Sequence, residues 1–196
     1  MISNVCKIEK GAKDLATILK ESERVAKYAG LNEKQTLQLR LICEELDAML
    51  PNVVDEFDGE FWIEYEEGVC KVNALIDILE LNIEKKEELI KVAKNKKNAA
   101  AVGIVAKIRD AIENVFLDEN TQMALSSSGG YCLHAGYFGA NAGSPYWSLK
   151  NYRANVKDED SEEWDELEKS IINNLADDVI VGVKGKQAKI IIEKKF

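Results

Sequence analysis

Glu60-Phe-Trp-Ile-Glu-Tyr-Glu-Glu-Gly-Val-Cys-Lys-Val-Asn-Ala-Leu-Ile-Asp-Ile-Leu79 decides the fold class. Aromatic and β-branched residues, which fit a pleated surface, fill both halves, and Glu66-Glu67-Gly68 between them supplies a turn. The stretch reads as a β-hairpin of Glu60 to Tyr65 and Val69 to Leu79. Immediately before it, Asn32 offers an N-cap and Glu33 suits the positive end of a helix that should run to about Leu50, ahead of Pro51. Farther upstream, Leu15, Ile18, Leu19, Ser22, Val25, Ala26 and Ala29 recur at helical spacing, with Gly30 as a natural stop. Asn4 to Lys10 alternates as a short edge strand would.

Downstream of the hairpin, residues 83–95 read as a charged helix. Residues 98–116 read as a more apolar one, in which Val102, Val105, Ile108, Ile112 and Val115 share a face. Between Met123 and Pro145 the periodicity gives way to serine, glycine and aromatic residues, the composition of a loop. Ser161 then caps a last helix with the apolar row Trp164, Leu167, Ile171 and Leu175. The chain closes on a hairpin, Val179 to Val183 and Ala188 to Ile192 around Lys184-Gly185-Lys186. The order β-α-α-β-β-α-α-loop-α-β-β implies an α+β two-layer sandwich in a single domain, 1–196. Its antiparallel sheet, with mixed pairing as a variant, should contain Phe61–Tyr65, Val69–Ile78, Val179–Val183 and Lys189–Glu193, with helices on one face.

Composition narrows the function. The 196 residues are 46% hydrophobic and 31% charged, enough for one sizeable core. A net charge of −9 leaves no cationic excess to displace counterions from a phosphate backbone, which argues against nucleic acid. No apolar run approaches a membrane span, and Lys7, Glu9 and Lys10 stand where a signal peptide would be apolar. Cys6, Cys43, Cys70 and Cys132 are widely spaced beside apolar neighbours, the pattern of reduced buried thiols in a cytoplasmic protein. With His134 as the one histidine, neither a metal set nor a catalytic triad assembles.

The second helix carries the chemical interest. Projected at about 100° per residue, Leu37, Leu39, Leu41, Ile42, Cys43, Leu46, Met49 and Leu50 fill a broad apolar arc, and Arg40, Glu44 and Asp47 occupy the polar side. Glu45 falls inside the arc, in the row Leu37, Leu41, Glu45, Met49. A carboxylate there must be paired, protonated or facing a cavity, because an isolated buried charge costs several kcal/mol by effective estimates. The other reading places Glu45 at the exposed fringe of the arc.

A helix carrying Glu45, a following β-hairpin, and a closing helix and hairpin, Glu166 to Val181 and then Lys189 to Lys195, together resemble the GHKL ATP-binding fold. Histidine kinases and bacterial anti-sigma factor serine kinases share that fold. The resemblance covers about residues 1–80 and 160–196 and leaves about 81–160 unmatched, with a lid-like loop at about 123–150. It implies that Glu45 is the glutamate that acts on the attacking water, and that ATP or ADP is the ligand. The family's magnesium-holding asparagine falls on Met49, a soft thioether unsuited to a hard cation. Asp77 stands near the family's adenine-reading aspartate, but Ile78-Leu79-Glu80-Leu81 follows it without the glycines of the family's box. Gly103 is a single glycine where the second glycine box would be. Close approach of backbone N–H groups to phosphate needs those glycines.

A cavity on this scaffold should lie between the Glu45 helix and the sheet, beneath Gly129 to Trp147, and be approached by Glu45, Met49 and Asp77. The resemblance with these departures implies a regulatory domain that binds another protein, without magnesium-dependent ATPase or kinase activity. The alternatives are an active anti-sigma-type serine kinase and a ligand-free module for self-association.

Overall fold

The computed structural model describes residues 1–11, 15–80, 104–113, 146–155, 170–184 and 186–196. In chain order these form β1 (Cys6–Glu9), α1 (Leu15–Ala29), α2 (Glu33–Val53), β2 (Glu56–Glu66), β3 (Val69–Glu80), a helix at 104–113 (α3), β4 (Tyr146–Ser148), α4 (Leu149–Asn155), α5 (Ile171–Leu175), β5 (Asp178–Lys184) and β6 (Gln187–Lys195). The six strands make one sheet, ordered β1-β2-β3-β6-β5-β4 and antiparallel at every pairing. The architecture is the α+β two-layer sandwich that the sequence implies, and the expected strands all belong to its single sheet.

The hairpin closes as its residues dictate. Glu66 pairs with Val69, and the two residues between them, Glu67 and Gly68, have φ of 48° and 84°. Positive φ at both central positions is the condition for the tight hairpin turn that matches strand twist. Alternation then sorts each strand into two faces. Phe57, Phe61, Ile63, Cys70, Val72, Ala74, Ile76, Ile78, Val179, Val181, Val183, Ala188, Ile190 and Ile192 are buried. They join the apolar sides of α1, α2 and α3 in one core cluster.

Local signals in the helices hold at the ends where they were expected. Asn32 Oδ1 accepts from Gln35 N–H at 3.0 Å while Gln35 Oε1 accepts from Asn32 N–H at 3.0 Å, a reciprocal capping box. Gly30 N–H donates to Lys27 O and Leu31 N–H to Ala26 O, the paired bonds that close α1. Pro51 does not end α2, which runs on to Val53. Proline there forfeits its own N–H bond and crowds the preceding turn. Asn52 Nδ2 donates to Ala48 O at 3.2 Å and Val54 N–H to Leu50 O at 3.0 Å, so the turn closes around it.

Two expectations change. Tyr146–Ser148 is an edge strand paired to β5, and Leu149–Asn155 is a helix, so the lid-like loop expected at about 123–150 does not extend past residue 145. Asp178 holds this corner. Its carboxylate accepts from Ser148 Oγ at 2.9 and 3.0 Å, from Lys150 N–H at 2.9 Å and from Val179 N–H at 2.8 Å, which caps α4 across 28–30 residues of sequence. Gly103, Cys132, His134, Gly129–Pro145 and the Ser161 cap lie outside the described residues, as do the stretch 83–95, expected as a helix, and both ends of the helix expected at 98–116.

Candidate functional site

α2 lies against α1 on one side and α5 on another, and over the sheet at β3. Its row Leu37, Leu41, Glu45, Met49 passes from solvent into the core. Leu37 is 56% exposed, Leu41 and Glu45 are half-buried, and Met49 is 4% exposed within the core cluster. The apolar arc drawn from Leu37 is therefore too wide at its start, because the first turns of the helix extend past what they pack on. Glu45 stands at the boundary. Burial, and after it the negative charge of Glu44, pushes its carboxyl above the ordinary glutamate range. Arg40 is engaged elsewhere, with Nε on Glu44 at 3.1 Å and Nη1 on Glu23 at 3.2 Å, and no described lysine or arginine pairs with Glu45.

Asp77 does not join Glu45 and Met49. Its neighbours Ile76 and Ile78 are 0% and 3% exposed in the core, so alternation turns Asp77 to the opposite face of the sheet. There it is exposed, and Gln187 Nε2 donates to its Oδ1 at 2.8 Å. The backbone around it is ordinary strand. Asp77 pairs with Asp58 and Gln187, Ile78 with Phe57 and Glu80 with Glu56, and Ile78 N–H donates to Lys186 O at 2.7 Å. A shared approach of Glu45, Met49 and Asp77 to one cavity is thus not what the sheet provides.

A buried ionic cluster closes the C-terminal end of α2. Arg109 on α3 donates from Nε to Glu113 at 2.7 Å, from Nη2 to Asp55 at 3.3 Å and from Nη1 to Asn52 O at 3.4 Å. All three charged side chains are 7% exposed or less. Lys10 reaches the same turn, donating to Asp55 O and, at 3.0 Å, to Glu56. The sequence held a signal for this cluster, since Arg109 and Glu113 follow Ile108 and Ile112 inside the apolar stripe of that helix. The cluster fixes α3 to the α2–β2 turn and presents no nucleophile. Ser148 and Asp178, the described hydroxyl–carboxylate pair, are consumed in capping. Among the described residues no group of three or more histidine, cysteine or acidic side chains is placed to hold a metal ion.

The sheet's second face is the other notable surface. None of Trp62, Leu75, Ile180 and Ile191 belongs to the core cluster, and each is half-buried. Trp62, Asn73, Ile191 and Ile180 stand in one cross-strand row, and Glu60, Leu75, Lys189 and Gly182 in the next. Lys189 Nζ lies 5.2 Å from the Trp62 ring centroid, and Trp62 Nε1 donates to Glu64 at 2.7 Å. Beyond the second row come Glu9, Asp58 and Asp77 on three adjacent strands. At the opposite, hairpin end, Ile2, Glu64, Glu66, Lys71, Glu193 and Lys195 help line a depression of about 580 Å³.

Comparisons of the chain with protein families, with curated proteins and with solved structures find no match to any of them. Among the described residues no helix is long and apolar enough to cross a membrane.

Proposed function

We propose that the chain is a regulatory, protein-binding domain of the cytoplasm, on a scaffold that resembles the GHKL ATP-binding fold but has lost its nucleotide chemistry. One observation carries the reading. Where the resemblance needs a glycine turn that opens backbone N–H groups to phosphate, β3 continues as regular strand from Asp77 to Glu80, paired to β2. Two further features support it. Met49, at the position of the magnesium-holding asparagine, is packed into the core, and Asp77 faces away from Glu45. Each lost charge-assisted contact is worth about 1.5–3 kcal/mol, so two such losses weaken nucleotide binding by roughly a hundredfold or more. The buried thiols of Cys6, Cys43 and Cys70, none in a disulfide, suit a reducing compartment.

The test is a titration with a fluorescent ATP analogue, with and without magnesium, beside an assay of ATP turnover. The reading expects no magnesium-dependent binding and no turnover above buffer, in the native chain and in Glu45→Ala alike. Turnover that Glu45→Ala abolishes would defeat it and install the serine kinase alternative.

A further inference from the structure

We infer that the sheet face carrying Trp62 docks a basic amphipathic helix of a partner protein. The inference rests on the protein-binding reading above and names the surface and the chemistry of its occupant. The row from Trp62 to Ile180 crosses four strands, about 14 Å, which is the length of a helix of about ten residues. Leu75 widens this strip by one row. The apolar side of a helix laid along it would cover Trp62, Leu75, Ile180 and Ile191, which lie outside the core cluster of the described residues.

Charge selects the occupant. The Glu9, Asp58 and Asp77 row lies two residues, about 7 Å, beyond Leu75, within reach of lysine or arginine on the flank of such a helix. Among the described residues Glu9, Asp58 and Glu60 are exposed and form no ion pair, even with Lys7 opposite Glu60, and Asp77 accepts from the neutral Gln187 amide. Carboxylates directly opposite each other across strands repel, so this arrangement costs stability that a cationic partner would restore. At the hairpin end the depression is mixed in charge, Glu64, Glu66 and Glu193 standing with Lys195 and with Lys71, which pairs with Glu193, so the acidic bias lies on the Asp58 flank. A second copy of the chain would bring one acidic row against another, and an anionic lipid surface would be repelled by it.

The full chain, uniformly 15N-labelled, is titrated with an 18-residue leucine/lysine amphipathic peptide and, separately, with its leucine/glutamate counterpart. Binding is followed by amide chemical shifts. The expected result is perturbation centred on the Trp62, Leu75, Ile191 and Ile180 rows with the lysine peptide alone. Asp58→Lys with Glu60→Lys weakens binding about tenfold or more, whereas the charge-matched change Glu23→Lys with Glu33→Lys on the helices leaves it within about twofold. All four substituted positions are exposed, so the variants keep the fold, and their amide spectra verify it. Shifts centred elsewhere, equal weakening by both variants, equal binding of the glutamate peptide, or concentration-dependent dimerisation through the same rows would overturn the inference. ATP turnover lost in Glu45→Ala would sink the functional reading while leaving the peptide result standing. Peptide failure without turnover would sink the docking face alone.

Discussion

Ile190 and Ile191 are adjacent in β6 and chemically identical, yet the first is fully enclosed beneath the helices and the second is half-exposed on the other side of the sheet. Phe61 and Trp62, Ala74 and Leu75, and Val181 and Ile180 repeat the contrast on β2, β3 and β5. The covered face is apolar almost without interruption, and the buried Arg109 cluster at its edge is tightly hydrogen-bonded. The open face mixes an apolar strip with carboxylates that repel one another. Selection for stability alone explains the first face. The second sets half-buried apolar side chains beside like charges, and the proposed docking face rests on that mixture.

The contrast breaks most sharply under truncation. Phe61→Ala should cost about 3–5 kcal/mol through the cavity it leaves, against about 1–2 kcal/mol for Trp62→Ala, as read by urea denaturation. Equal costs would mean that both faces are core. Arg109→Met leaves Asp55 and Glu113 buried without that guanidinium and should cost about 3–5 kcal/mol. Lys71→Met removes the partly exposed pair with Glu193, 3.2 Å long, for about 1 kcal/mol or less.

Gly59 tests how closely the strands approach. A Cβ there would stand 2.2 Å from Leu75 O and 2.9 Å from Ile76 Cα, both backbone atoms of β3. Gly59→Ala should therefore destabilise by about 1–3 kcal/mol and disturb β3 amide shifts. In the other direction, Asp58→Thr removes the repulsion with Asp77 and should stabilise by about 0.2–1 kcal/mol.

The smallest effect is that of Glu45→Gln, and it depends on pH. The folded state holds the Glu45 proton more tightly than the unfolded chain does. That stabilising contribution is complete below the ordinary value of 4.5 and is lost as pH rises through the raised folded value. Glu45→Gln should accordingly unfold at slightly higher urea than the native chain at pH 7, with the gap closing below about pH 4.

The sheet was legible in the sequence because its signals are local. The Glu66-Glu67-Gly68 turn, the Asn32 cap and the alternating valines of β5 each act within a few residues. The β4–α4 corner was not legible. Three strand residues are too few to show a period, and the cap of α4 depends on Asp178, far along the chain. Helical projection placed Glu45 near the core but could not reveal where the cover over α2 ends, so Leu37 was assigned to the interior. Asp77 was misplaced for a different reason. Its alternation with Ile76 and Ile78 was present in the sequence, but the expectation followed the resemblance instead of the two-residue period of a strand. Arg109 and Glu113 stood out on the apolar stripe of their helix, but their partners Asp55 and Asn52 come from more than fifty residues away and no local pattern names them.

The sheet order has a kinetic consequence. β2 with β3 forms one local hairpin and β5 with β6 a second, while β1 reaches β2 only after α1 and α2 intervene. The two halves meet where β3 pairs with β6, from Val69↔Lys195 to Asp77↔Gln187. That central seam joins residues more than a hundred positions apart, so its closure costs far more loop entropy than either hairpin turn. Folding should thus resemble the docking of two preformed pieces. Substitutions within the preformed β2–β3 and β5–β6 hairpins would therefore slow refolding and leave the unfolding rate almost unchanged.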